Sequence, residues 1–286
     1  MIPYLEIPSL HLFGPLEVHV FGRLLTLGPV DIHAFGVLVA IGILVGAGRT
    51  RYRARQLGLS DVETASMITW VVVIGFVVAH LFAVVAYQPD RLRELDFGGK
   101  VSLLLDPRRG LSSFGGFLGA LIALLVFSRN NRYPLFPAAD SLLFGLIYGW
   151  LFGRLGCYSA HDHPGRFTDF FLAVPYPEGT RHDLGFDEAL FAGVLVIAFT
   201  LLARRFRPPG FYATITCLIY GPLRFGLDFL RAKDVPGADP RYLGLTPAQY
   251  GALGVFIAGI VFAVLTVQKH RAAVAAYAAD QAKSTK

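Results

Sequence analysis

Charge and cysteine are what this sequence has least of. Asp, Glu, Lys and Arg make up 16% of its 286 residues, against about 25% in a soluble globular domain, which excludes an ordinary water-facing surface. The two cysteines, Cys157 and Cys217, do not amount to a disulfide framework. A net charge of +6 lies in short basic clusters between apolar runs, with no face where basic and aromatic residues interleave. Anionic membrane lipid is therefore the expected partner, and nucleic acid is not. The first 30 residues lack the basic start and small-residue cleavage site of a signal peptide and are expected to be retained. Alternation in Leu16-Glu17-Val18-His19-Val20 predicts a short strand or interfacial segment there.

What is there is long apolar runs. Hydrophobic residues reach 54% and the mean hydropathy is +0.54. A bilayer core of about 30 Å takes roughly 20 apolar residues per helix. Seven windows fit, near 32–48, 65–87, 112–128, 135–155, 189–203, 211–230 and 247–267. The expected fold is an all-α polytopic membrane protein with seven transmembrane helices, one integral domain over 1–271 and small external loop or head elements. Residues 272–286 are expected to be a disordered cytoplasmic tail. Basic clusters follow the first, third, fifth and seventh windows at Arg49 to Arg55, Arg129 and Arg132, Arg204 to Arg207, and Lys269 with Arg271. Lys and Arg in short loops mark the cytoplasmic side, so the N-terminus is expected outside and the C-terminus inside. This orientation brings Ser113 to Gly119, Arg154 and Arg224 to Arg231 to the outer membrane level.

The polar chemistry concentrates between Asp140 and Arg166, where an apolar run ends in Gly-Arg-Leu-Gly-Cys-Tyr-Ser-Ala-His-Asp-His-Pro-Gly. An arginine at membrane depth either snorkels to the interface or faces a functional cavity. Two arginines, Arg154 and Arg224, near the glycines Gly115, Gly116 and Gly119 suit the phosphate of an anionic lipid, because the planar guanidinium matches phosphate oxygens and stays charged. His161, His163 and His182 are the available proton acceptors. His161 and His163 alone make a poor ligand set, so no metal and no other cofactor is expected. His80, inside the second window, reads as a packed, hydrogen-bonded residue.

These residues, taken in order, resemble the prolipoprotein diacylglyceryl transferase family. Gly153-Arg154-Leu155-Gly156 through Gly165 is similar to its signature, with Asp140 ahead of it. Arg181-His182 followed by Glu188 resembles its entry to the fifth span. Tyr220-Gly221, Arg224, Phe225, Asp228 and Arg231 resemble its sixth-span helix, and Gln249 falls where the family has Ser-x-Gly-Gln. The resemblance implies transfer of the diacylglyceryl group of phosphatidylglycerol to the lipobox cysteine thiol of a prolipoprotein. The partners would be phosphatidylglycerol and the prolipoprotein's signal peptide with its lipobox, in the cytoplasmic (inner) membrane of a bacterium, with the site at the outer face. It implies catalytic roles for Arg154, Arg224 and His182, His182 contributing more than His161 or His163. Substrate binding would fall to Gly115, Gly116, Gly119, Asp140, Gly153, Gly156, Gly165, Asp228, Arg231 and Gln249. The chain departs from the family at Phe35 (Tyr there), Phe114 (His), Cys157 and Ala160 (Asn), Asp162 (Glu) and Asp187 (Tyr). These departures leave open a non-catalytic or altered-specificity lipid-binding paralogue. A channel or transporter is disfavoured, since no inverted repeat is visible.

Overall fold

The computed structural model describes residues 2–5, 7–14, 16–20, 23–27, 30–106, 110–235 and 238–284, with side-chain surroundings given outside 15–30 and 273–286. Thr285 and Lys286 of the expected tail lie outside the described residues. In chain order the elements begin with β1 (Leu10–Phe13), β2 (Leu16–Val20), β3 (Arg23–Leu27), β4 (Val30–Ile32), α1 (Ala34–Gln56) and α2 (Asp61–Tyr87). Then come α3 (Pro89–Glu94), α4 (Phe97–Leu105), α5 (Ser113–Asn130) and α6 (Leu135–Ala160). The chain continues with β5 (Pro164–Phe167), β6 (Val174–Tyr176), β7 (Gly179–Asp183), α7 (Leu184–Leu202), α8 (Phe211–Leu227), a 3-10 turn at Asp228–Leu230, and α9 (Pro247–Ser284).

Six of these helices, α1, α2, α5, α6, α7 and α9, are long and apolar enough to cross a membrane. The window expected at 211–230 is α-helical only to Leu227, so α8 has 17 residues, about 26 Å of rise. The chain tightens into the 3-10 turn where Asp228 is drawn into a buried side-chain network. Trp70, Val73, Phe76, Val77, Leu81 and Val85 of α2 all face outward. An apolar surface of that extent is unsustainable in water and suits lipid chains.

Short strands accompany the helices, so the fold is mostly helical with small sheets: Leu16–Val20 is a strand, and the segment between α6 and α7 carries the sheet β5-β7-β6. Alternation organises it, because Val174 and Tyr176 are buried on either side of exposed Pro175. Helix α9 runs on to Ser284, as the alanines at 272, 273, 275, 276, 278, 279 and 282 favour.

The described chain divides into two compact units. The first comprises Met1–Gly46, Ile147–Ala198 and Leu230–Ala232. Within it β1 pairs with β4, and β7 is flanked by β5 and β6, all antiparallel. Asp183, the last residue of β7, caps α7 by accepting from the Phe186 amide at 3.0 Å. Gly42 and Gly149 bring α1 and α6 into backbone contact; a Cβ on Gly42 would sit 2.7 Å from the Gly149 carbonyl oxygen.

The second unit comprises Ala47–Leu146, Phe199–Phe229 and Lys233–Lys286. Here α2 packs on α5 and α8 on α9. Ser60 caps α2 and Ser112 caps α5, each accepting from the amide three residues on at 3.3 Å. His80 joins α2 to the following segment, its ring nitrogens bonded to the Leu104 carbonyl at 3.0 Å and the Gly110 carbonyl at 3.4 Å.

Candidate functional site

In the first unit the chemistry gathers where α6 ends. Arg154, 3% exposed, lies two turns before that end with its guanidinium over the Trp150 ring, 4.4 Å from the centroid. Its Nε is 3.0 Å from Oε2 of Glu188, a residue 1% exposed in α7. Arg154 Nη1 reaches Cys157 Sγ at 3.8 Å. A guanidinium buried this deeply needs a carboxylate, since removing an ion from water costs several kcal/mol unless it is paired. Glu188 appears in the sequence motif, but its pairing with Arg154 across 34 positions could not be read from the sequence.

The chain then reverses at His161, whose φ of 47° is left-handed. That conformation is uncommon for a residue with a Cβ and is usually met as a helix ends. It is held from several directions. The His161 ring stacks on Tyr4 at 3.8 Å, its Nδ1 is 2.8 Å from Asp183 Oδ2, and its Nε2 is 3.2 Å from the Leu5 carbonyl. Tyr176 donates to the same Asp183 oxygen at 2.8 Å. Burial first, then the Asp183 charge, holds the Tyr176 phenol above its ordinary range. His161, given a lesser part than His182 by the resemblance, is built into the framework, with its side chain 6% exposed.

Reversal brings Asp162 and His163 back toward the last turn of α6. His163 Nδ1 and Asp162 Oδ1 form a short hydrogen bond. The ligand atoms of Cys157, Asp162 and His163 lie within 4.8 Å of one another. Burial pushes the His163 imidazole below its ordinary value, Asp162 pulls against it, and Arg154 and Arg231 add to the lowering. Gly165 follows in β5, bridged to Arg231, and a Cβ there would meet the His182 Cβ at 2.6 Å and the Leu230 carbonyl at 3.0 Å. Arg181 donates to the Gly165 carbonyl at 3.1 Å and lies over the Phe167 ring.

His182 sits in β7 with Nδ1 3.5 Å from Asp187 Oδ2. Burial first, then the charge of Arg166, pushes its imidazole below the ordinary value, so it is neutral and able to accept a proton at neutral pH. Phe35 rests against Gly156, where an added Cβ would be 3.2 Å from its ring, while Gly153 has open space around it.

In the second unit Arg224 and Asp228 form a buried pair one helical turn apart, Nη1 to Oδ1 at 2.9 Å. Thr246 Oγ1 donates to the other Asp228 oxygen. Thr246 and Gln249 cap α9 reciprocally, the Thr246 amide donating to Gln249 Oε1 at 3.0 Å and the Gln249 amide to Thr246 Oγ1 at 3.2 Å. Gln249 Nε2 donates to the Phe225 carbonyl at 3.2 Å. The amide of Gln249 is thereby engaged within the fold. Arg224 also lines a small cavity with Ser113, Phe114, Phe117, Tyr220 and Ala248. Phe114 packs edge-on to Phe82 and against Gly251, where a Cβ would come within 1.9 Å of its ring.

Asp140 is fully buried in α6. One of its oxygens accepts from Arg53 Nε at 3.0 Å and Nη2 at 2.8 Å, and the other from the Ala213 amide at the start of α8 at 3.0 Å. Gly115 and Gly119 lie against the backbone of α2, where a Cβ would meet Val78 and Ile74 carbonyl oxygens at 2.8 Å. Only Gly116 of the three glycines has room beside it, its nearest neighbour being Ala79 Cβ at 3.9 Å. Arg53, read from the sequence as one of a cytoplasmic cluster, is completely buried against Asp140.

The profile of the family described as "Prolipoprotein diacylglyceryl transferase" matches residues 23–265. A protein of Glaesserella parasuis serovar 5, named phosphatidylglycerol--prolipoprotein diacylglyceryl transferase, is 32% identical over 167 residues, 57% of this chain and 62% of its own length. One of the same name from Rhizobium leguminosarum bv. trifolii is 29% identical over 249 residues, 82% of each chain. Another from Chromohalobacter salexigens is 27% identical over 205 residues, 62% of this chain and 77% of its own.

Proposed function

Because the chain belongs to the prolipoprotein diacylglyceryl transferase family, we propose that it transfers the diacylglyceryl group of phosphatidylglycerol to the lipobox cysteine of a prolipoprotein. The acceptor thiolate attacks the glyceryl carbon that bears the phosphate. A sulfur–carbon bond forms, the carbon–oxygen bond breaks with its electron pair leaving on glycerol phosphate, and the thiol proton passes to a base. The observation that carries this reading is the buried Arg154–Glu188 pair beside Cys157, at the end of an apolar helix and at the family's signature. Arg154 stabilises the charge that develops on the leaving phosphate. Arg224 binds lipid phosphate through its planar guanidinium, and His182, oriented by Asp187, takes the proton. Asp228 and Arg231 support these groups. Gly116, Gly153, Gly156 and Gly165 shape the approach of the substrate, whereas Gly115, Gly119, Asp140 and Gln249 serve the fold through the contacts described above.

In this reading residues 1–271 act as one membrane domain in the bacterial inner membrane. Helix α8 is the seventh span, the N-terminus and the site face outward, and 272–286 is cytoplasmic, as the basic clusters support. The test is a transfer assay with the purified protein in phosphatidylglycerol bilayers and a lipobox peptide. The peptide should gain one diacylglyceryl mass for each glycerol phosphate released. Phosphatidylglycerol binding with no transfer across neutral and mildly alkaline pH would instead establish the second reading, a lipid-binding paralogue. That reading is favoured by one observation: Phe114, which cannot titrate, fills the place of the family's histidine against Gly251.

A further inference from the structure

Three side chains with metal-ligating atoms have no part in the transfer steps described above. Cys157, Asp162 and His163 offer a cysteine sulfur, a carboxylate oxygen and an imidazole nitrogen, all within 4.8 Å of one another. Bonds of about 2.0 to 2.3 Å to a tetrahedral ion place such atoms nearly that close. Small rotations about the side chains therefore complete a ligand set. The residues converge because the chain turns back at His161 in a left-handed conformation, and that turn is fixed by Tyr4, Asp183 and the Leu5 carbonyl. Backbone held in an uncommon region by redundant contacts is a mark of functional sites. The charge balance also suits a cation. Arg154, whose Nη1 is 3.8 Å from Cys157 Sγ, is matched by Glu188 at 3.0 Å, and a metal-bound thiolate with the Asp162 carboxylate together offset a divalent ion.

We propose that Cys157, Asp162 and His163 bind a divalent ion of the zinc class, leaving a fourth coordination position that takes the acceptor thiol of the substrate. Sulfur and imidazole select zinc-like ions over magnesium or calcium. Three protein ligands with one open position are the pattern of catalytic sites, not of closed structural ones. A thiol coordinated to such an ion gives up its proton, which is the activation that Phe114 cannot supply. The thiol proton leaves to the base or to water, the metal-held sulfur provides the electron pair for the new carbon–sulfur bond, and the ion ends with its charge unchanged. The thiol-activating role rests on the transferase reading above; the metal site itself does not.

The experiment uses the full-length protein in bilayers, stripped with a chelator and titrated with Co2+ as a spectroscopic stand-in for Zn2+. One equivalent should bind and give a sulfur-to-cobalt charge-transfer band. The band should disappear in Cys157→Ser and persist in Cys217→Ser, which removes the other cysteine and controls for folding. Asp162→Asn and His163→Gln should weaken binding by more than the roughly 10- to 100-fold that loss of an outer partner costs. A lipobox peptide should perturb the cobalt spectrum, whereas the same peptide with serine for cysteine should not. Zn2+ should restore transfer to the stripped protein. Absence of stoichiometric binding, or an equal band in Cys157→Ser, overturns the site. Binding with equal transfer by stripped and loaded protein overturns the thiol-activating role. Binding with no transfer in either form overturns the transferase reading and leaves the site standing.

Discussion

Arg53 and Arg154 are both buried arginines paired with a carboxylate, yet their surroundings set them apart. The Arg53 guanidinium donates to Asp140, to Gln56 and to the Arg207 and Pro208 carbonyls, while Asp140 also holds the start of α8 through the Ala213 amide. Its partners belong to α1, to α6 and to the connection between α7 and α8, and the arrangement is a staple. Arg154 meets Glu188, the face of Trp150 and the Cys157 sulfur. Its neighbourhood holds a thiol where that of Arg53 holds carbonyls, an amide oxygen and a carboxylate. Burial and charge alone therefore do not separate the arginine proposed to act on the substrate from the one that joins the fold; what distinguishes them is their partners.

The sharpest way to break this comparison is to remove each arginine in turn. Arg53→Ala leaves Asp140 buried and unpaired and should cost about 3 to 5 kcal/mol of stability, read as a lowered unfolding midpoint. If Arg53→Ala melted like the wild type, the staple would be refuted. Arg154→Ala should instead lower transfer by about 100- to 1000-fold and also lower stability, because buried Glu188 loses the Arg154 charge. Arg154→Lys separates the two effects: it keeps the charge, should recover most of the stability and should still lack the planar fork. Full activity in Arg154→Lys would place Arg154 beside Arg53 as a structural residue.

His182→Gln extends the comparison to a residue that titrates. The glutamine can hydrogen-bond but cannot act as a base, so transfer should fall by about 100-fold with phosphatidylglycerol binding unchanged. Because burial and Arg166 lower the His182 value, the active neutral form is complete above the ordinary value of about 6.5. Wild-type activity should then be level at neutral pH and fall only as pH drops through the depressed value. A pH–rate limb centred above that ordinary value would exclude His182 as the base. The smallest effect should come from the cap of α9: Thr246→Ser keeps the Asp228 and Gln249 contacts and should be near neutral, whereas Thr246→Ala should cost about 1 kcal/mol. Equal stability in the two variants would show that the capping box contributes nothing.

The apolar runs by themselves determined where six membrane-length helices form, because a span of about 20 apolar residues is a local property that needs no partner. Arg224 and Asp228, expected in separate roles, pair because positions one turn apart on a helix face the same side. Small residues at Gly115 and Gly119 announced a close approach, but whether backbone or ligand would fill it was settled by α2 packing there. Tertiary structure alone decided that Arg53 is buried on Asp140, that Glu188 meets Arg154, and that Asp162 and His163 fold back beside Cys157. The physical reason is the same in each case. A buried charge or ligand set is completed by groups that the turns and helix packing deliver from distant positions, and no spacing along the chain encodes which distant group arrives.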